Sequence, residues 1–199
     1  MISSLLLPWL GFMLPLVYSA GPNNVMCAAS GAQAGFKKTL PFIGGVNASL
    51  LLVSLIIGLG IGRIITELPN FSRIVTIAGS IYLLYLAFKL ARAGSINIDD
   101  KPVSPPDFRD GFIMNTLNPK GIVGLSIMFN EFIIEGRELF YQVLILSVLT
   151  VVISSSAHFL WASAGNVLSS FVKSQKAIRI QGYIFGIMLA GVAIWMLFY

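Results

Sequence analysis

Six stretches of this chain run almost free of charge, and that pattern limits its fold more than any other feature. They are Met1–Phe36, Thr39–Gly62, Ile74–Phe88, Gly111–Asn130, Leu139–Val172 and Ile180–Tyr199. About 20 apolar residues in a helix cross a ~30 Å hydrocarbon core. The third run has only 15 residues, but Arg73 and Lys89 at its ends can snorkel and lengthen it. Over the whole chain 56% of the residues are hydrophobic and 11% charged, whereas soluble domains carry roughly 25% charged residues. A soluble enzyme and a disordered chain are both excluded. The chain reads as an all-α integral membrane protein of six transmembrane helices. The predicted spans are Leu5–Ala28, Thr39–Gly60, Phe71–Leu90, Gly111–Phe132, Phe140–Ser163 and Ile180–Phe198.

Lysine and arginine then set the orientation, because basic residues favour the cytoplasmic side. With the N-terminus outside, the inner loops hold nine of the 13 basic residues: Lys37, Lys38, Lys89, Arg92, Lys101, Arg109, Lys173, Lys176 and Arg179. The outer loops hold three, Arg63, Arg73 and Arg137. Both termini are therefore expected outside, and the net charge of +5 reports topology rather than a nucleic-acid surface. The inner clusters would also attract anionic lipid. No cleavable signal peptide is expected, since no basic residue precedes the first apolar run. Residues 93–109, with Pro102, Pro105 and Pro106, read as a flexible cytoplasmic linker. The linker divides a single transmembrane domain, 1–199, into halves 1–92 and 110–199. Trp9, Tyr18, Trp161, Trp195 and Tyr199, near span ends, suit the interfacial aromatic belt.

Two spans carry prolines inside polar clusters. Ser19-Ala20-Gly21-Pro22-Asn23-Asn24 interrupts the first, and Asn115-Thr116-Leu117-Asn118-Pro119-Lys120 the fourth. A proline in a helix removes one backbone donor and clashes with the carbonyl four residues back. In lipid, broken backbone survives only where protein or a water-filled cavity covers it. Paired interruptions at corresponding positions of two halves point to a transporter binding site. Three spans per half make the second half run inverted. The bland alternative is a pair of kinks that only shape the bundle, with the asparagines bonding neighbouring helices.

Lys120 is the thirteenth basic residue and belongs to no loop. It lies nine residues beyond Gly111, near mid-bilayer, where a lysine costs about 2.5–3.5 kcal/mol or more. It should face a hydrated interior and contact anionic substrate groups or exposed carbonyls. Alternatively it caps the free carbonyls of the broken helix. The expected substrate path comprises Gly21, Pro22, Asn23, Asn24, Asn47, Asn118, Pro119 and Lys120. Asn47 follows Gly44-Gly45, and its amide could bond Asn23 or a substrate, or simply tie two helices together. His158, one turn after Ser154-Ser155-Ser156, is a possible proton-coupling group because its unperturbed pKa lies near neutrality. The alternative is a histidine bonded to a serine or a carbonyl. With no Asp or Glu deep in a span, a zwitterion whose carboxylate meets Lys120 or a half-helix N-terminus fits better than a bare cation.

These residues resemble those of a known family. Gly21-Pro22-Asn23 followed by Gly31, Gly35, Gly44 and Gly45 resembles the first signature of the LysE/RhtB (lysine exporter) translocators. Ala78-Gly79-Ser80-Ile81-Tyr82-Leu83-Leu84-Tyr85-Leu86-Ala87-Phe88-Lys89 resembles that family's third span. Phe112 to Phe129, with Asn115 and Leu117-Asn118-Pro119-Lys120, resembles its fourth. The resemblance covers roughly residues 4–135 well, and the remainder in hydropathy only. It departs at Asn130-Glu131-Phe132, where members commonly place a proline before the final Phe. It implies a six-segment bundle in the bacterial inner membrane whose first and fourth segments line the path. It also implies export of amino acids and related small molecules, driven by ion gradients.

Other function classes fit less well. One Cys (Cys27) and one His give no disulfide, no redox pair and a poor basis for a metal cluster. A membrane redox or structural protein with the same frame would have no visible catalytic machinery. A small-ion or metal-ion effluxer would lack buried carboxylates and thiols. No phosphate-binding Gly-x-x-x-x-Gly-Lys-[Ser/Thr] sequence occurs, so the chain does not itself hydrolyse ATP. No cofactor is expected and no enzymatic activity. The expected partners are a small-molecule substrate and the bilayer, with no nucleic acid. Gly182 and Gly186, spaced for close helix packing, could build an internal contact or a homodimer face.

Overall fold

The computed structural model describes residues 2–60, 70–93, 105–171 and 174–198. Among them the chain is helical throughout. In chain order the helices are α1 Ile2–Tyr18, α2 Pro22–Ala34, α3 Phe36–Gly58, α4 Phe71–Ala93, α5 Phe108–Thr116, α6 Pro119–Phe132, α7 Leu139–Ser170 and α8 Gln175–Phe198. Within α3, α4, α7 and α8 lie four stretches long and apolar enough to cross a membrane. The first and fourth expected spans are broken at Pro22 and Pro119, as the polar proline clusters predict, into two helix pairs, α1 with α2 and α5 with α6.

Local chemistry accounts for both breaks. Pro22 and Pro119 each occupy the first turn of a new helix, where a missing N–H is no loss. The residue before a proline is pushed out of the helical region. Accordingly Gly21 is extended at φ −162°, ψ 173°, and Asn118 at φ −88°, ψ 102°. Pro8 and Pro15 in α1 and Pro41 in α3 sit inside continuous helices. Proline alone therefore does not cut a helix here; the polar residues that accept a break beside Pro22 and Pro119 are also needed. Gly35, at φ +88°, makes the one-residue turn between α2 and α3, a conformation that favours glycine.

Several helices outrun the expected spans. α7 has 32 residues and continues to Ser170, seven beyond the expected end at Ser163. α5 begins three residues before Gly111 because Asp107 caps it. Its side chain accepts from the backbone N–H of Arg109 and Asp110, and Asp110 returns the bond to the Asp107 N–H. Such a capping box satisfies donors that would otherwise be orphaned. Residues 94–104 of the expected linker lie outside the described residues, as do Arg63, Lys101 and Lys173.

The two halves interlock. The principal pairs are α2 with α7, α3 with α5, and α4 with α8, each taking one helix from either half. Glycines permit the closest approaches. A Cβ at Gly31 would fall on the Ala162 carbonyl, and one at Gly165 on the Ala28 carbonyl. Gly45 meets the Phe108 carbonyl and Gly111 the Phe42 carbonyl in the same reciprocal way. Gly186 faces Ala87 and Ala91 of α4, so that face of α8 makes an internal contact. One core cluster, including Met26, Phe42, Leu86 and Leu189, lies among α2, α3, α4 and α8. A second, including Trp9, Met13, Met128, Phe129 and Val143, lies among α1, α3, α6 and α7. Large apolar side chains such as Ile81, Phe88, Val152 and Ile187 remain exposed on the outer surface. Toward lipid such a surface is the solvated one.

Candidate functional site

The two breaks meet. Asn23, at the start of α2, donates from Nδ2 to Asn115 Oδ1 in α5 at 2.9 Å. Asn115 donates in turn to Ser49 Oγ of α3 at 3.0 Å, and Ser49 lies 2.8 Å from Thr116 Oγ1. Thr116 also donates to the Phe112 carbonyl at 2.8 Å. One chain of hydrogen bonds thus joins both interruptions and the second long helix. Asn23 pairs with Asn115, not with Asn47, the partner the spacing along α3 invited. Asn47 lies off the cavity described below, and its Oδ1 has no protein partner.

Asn24 covers the backbone freed at the end of α1. Its Nδ2 donates to the Val17 carbonyl at 2.7 Å and to the Ser19 carbonyl at 2.9 Å. From α7, Trp161 Nε1 donates to the Tyr18 carbonyl at 3.2 Å, and Tyr18 Oη lies 2.8 Å from Ser156 Oγ. The open carbonyls of the broken helix therefore have partners among neighbouring side chains, as a buried helix end requires. Lys120 is not one of those partners. Its Nζ donates to Ser19 Oγ at 2.7 Å and sits beside Gly21, where an added Cβ would stand 3.2 Å from it.

Between the breaks lies a cavity of about 80 Å³. Its wall brings together Gly21, Pro22, Asn23, Asn24, Asn118, Lys120 and His158, with Ser19, Asn115, Thr150 and Ser154. Pro119, one residue from this wall, heads α6. Buried polar atoms nearly always have partners, yet Asn23 Oδ1, Asn24 Oδ1, Asn118 Oδ1 and His158 Nδ1 have none within the protein. Asn24, Asn118 and His158 are only 4%, 6% and 5% exposed, so bulk water does not relieve them. Two of the three serines before His158 are engaged elsewhere, Ser155 donating to the Val151 carbonyl and Ser156 to the Ile153 carbonyl. Neither Gly21 nor Asn118 caps its helix with a side chain, and both α2 and α6 begin at the cavity. Helix N-termini carry partial positive charge. With Lys120 they make the cavity electropositive, and the asparagine Oδ1 atoms add hydrogen-bond acceptors to its wall.

Outside the cavity, Asp110 in α5 is buried, although it precedes the fourth charge-free run by one residue and so has the sequence character of a loop acid. Asp110 Oδ2 lies 3.0 Å from Lys89 Nζ, and Oδ1 accepts from Tyr82 Oη at 2.8 Å. It thereby ties α5 to α4. Its sequence signal was the Asp-x-x-Asp capping pattern. Asn115 stood within a recognised polar cluster, but nothing local distinguished it from Asn118. Ser49 and Thr150 carry no signal of their own, being single hydroxyls in apolar helices.

Fold and site together define a multi-pass helical membrane protein built around two broken helices whose ends enclose a polar cavity. The sequence matches the family model described as LysE type translocator over residues 14–199, and the chain belongs to that family. It is similar to an uncharacterized membrane protein of Vibrio cholerae, at 25% identity over 92% of this chain and 93% of the relative. It is also similar to a homoserine/homoserine lactone efflux protein of Salmonella typhimurium, 25% identical over 89% of this chain and 90% of the relative. A cysteine/O-acetylserine efflux protein of Salmonella choleraesuis is 24% identical over 90% of this chain and 88% of the relative. No solved structure matches the chain.

Proposed function

We propose that this protein is a secondary carrier that exports small zwitterionic amino-acid metabolites from the bacterial cytoplasm through the inner membrane. The observation that carries the reading is the convergence of both helix breaks on one cavity that holds Lys120 and unpaired amide oxygens. A carboxylate suits Lys120 and the N-termini of α2 and α6, since oriented N–H groups and a helix dipole favour an anion. The ammonium of the same molecule suits the free oxygens of Asn23, Asn24 and Asn118, which only accept. The efflux names of the Salmonella relatives support export of such molecules.

In this reading the chain crosses the membrane six times. The pairs α1–α2 and α5–α6 are broken crossings, and halves 1–92 and 110–199 run inverted about the cavity. The end of the bundle bearing Lys37, Lys38, Lys89, Arg92, Arg109 and Arg179 faces the cytoplasm, and both termini lie outside. Gly21, Pro22, Asn118 and Pro119 shape the opposed helix starts, and Asn47 supports α3 behind them. The proton gradient drives export, with His158 on the cavity wall as the coupling group. Inverted membrane vesicles under an imposed proton gradient test the proposal with a panel of radiolabelled amino acids. Accumulation of one or more is expected; conduction of an ion with no amino acid moved would contradict it. In the same assay His158→Gln is expected to uncouple accumulation from the gradient, and full gradient dependence in that variant would remove the relay.

A further inference from the structure

The polar cavity is too small to be the whole site. Ligand pockets span roughly 300–1,000 Å³, whereas this cavity measures about 80 Å³. Directly beside it runs a groove of about 820 Å³ between α1, α2, α4, α6 and α8. Leu16, Gly21, Pro22, Asn118 and Lys120 line both spaces, so the groove begins where the cavity ends. Away from that shared mouth its wall is apolar, formed by residues such as Phe12, Val25, Ile127, Met188 and Val192, with Thr76 as the further polar side chain. Among the described residues that line the groove, the one charged group is Lys120, at the mouth. The unpaired Oδ1 of Asn118 belongs to a side chain on the same mouth.

The geometry points to a two-compartment site. We propose that the groove holds the side chain of the exported molecule, and that this carrier selects amino acids with an uncharged apolar side chain of several carbons. The inference rests on the exporter reading above and adds to it which amino acids are taken. The ammonium and carboxylate remain in the cavity against the asparagines and Lys120. Gly21 and Lys120 pack closely at the mouth, where a Cβ on Gly21 would stand 3.2 Å from Lys120 Nζ, so the flexible Lys120 side chain swings aside to let the substrate's side chain into the groove. Beyond the mouth the chain leaves water for an apolar wall, and each methylene so transferred is worth about a fourfold gain in affinity. A basic side chain would meet no acidic group on the groove wall. A lipid acyl chain is the competing occupant, since lipid tails match such a wall equally well.

Gly191 offers a way to fill the groove without disturbing the fold. It lies on the groove wall, and a Cβ added there would meet nothing within 4 Å. Replacing glycine inside a helix also favours the helix. In proteoliposomes, inhibition of labelled amino-acid exchange is measured with alanine, 2-aminobutyrate, norvaline and norleucine. The half-inhibitory concentration is expected to fall about fourfold per methylene, roughly thirty- to sixtyfold across the series. Gly191→Phe should flatten the series; Val123→Phe, on the opposite wall, serves if the first variant folds poorly. A flat or inverted series in the wild type, or a series unaffected by both variants, would overturn the groove assignment and leave the groove to lipid, while exchange itself persists. Absence of exchange with every amino acid would instead overturn the exporter reading, and this inference with it.

Discussion

The two ends of the bundle are closed by different means. At the basic end, α2 meets α7 and α3 meets α5 backbone to backbone, through Gly31 with Gly165 and Gly45 with Gly111. At the other end, α1, α6 and α7 pack through side chains, with Trp9, Met13, Met128, Phe129 and Val143 interdigitated. Even the glycines there face side chains: Gly58 lies against Val143 and Phe129, and Gly124 against Leu16. A carbonyl cannot turn aside to admit a methyl group, whereas a side chain can change rotamer. The basic end is thus a close fit with little tolerance, and the opposite end can deform. The cavity lies between them, which suits a carrier that must open one end at a time.

The comparison breaks most readily at the glycines. Gly45→Ala should cost about 3 kcal/mol or more, above the usual 1–3 kcal/mol of overpacking, because the clash is with the Phe108 backbone. Thermal unfolding in detergent and the yield of folded protein measure this; near-wild-type stability would show that the contact can open freely. Next is Asp110→Asn, which keeps an acceptor for Tyr82 but removes the charge facing Lys89. A hydrogen bond to a charged group contributes about 1.5–3 kcal/mol, and a loss near 2 kcal/mol is expected in the same unfolding assay. An unchanged melting temperature would show that this link between α4 and α5 is slack. The smallest effect belongs to the deformable end. Met128→Leu, a volume-conserving change at a fully buried position, should cost less than about 1.5 kcal/mol. A loss as large as that of Gly45→Ala would erase the distinction between the two ends.

The same contrast separates what the sequence disclosed from what it concealed. Helix breaks at Pro22 and Pro119 were legible because each proline stands inside a local run of polar residues that accepts a break, and membrane character because charge-free length is a property of the string. Lys120 stood out because a charge in mid-span has few resting places. Partner choice is a tertiary matter and was not legible. Nothing in Asn23 says that it faces Asn115 rather than Asn47, and nothing in Asn24 says that it turns back to cover Val17 and Ser19. Asp110 was hidden by its position one residue outside a charge-free run, where an acid reads as a loop residue until its capping box pulls it into the helix. The reciprocal glycines were visible as small residues, but their partners across α2–α7 and α3–α5 follow only from the packing.

Lys120 is the cation where the two helix breaks meet. Lys120 donates a hydrogen bond to the Ser19 hydroxyl instead of closing the carbonyls of α1, which Asn24 and Trp161 already occupy. The most direct measurement is proton-gradient-driven amino-acid uptake into inverted vesicles carrying Lys120→Ala, matched to wild type for the amount of folded protein in the membrane. Uptake is expected to be abolished with insertion and melting temperature retained. Wild-type uptake by that variant would contradict a substrate site at the meeting of the two breaks and leave the lysine a structural part.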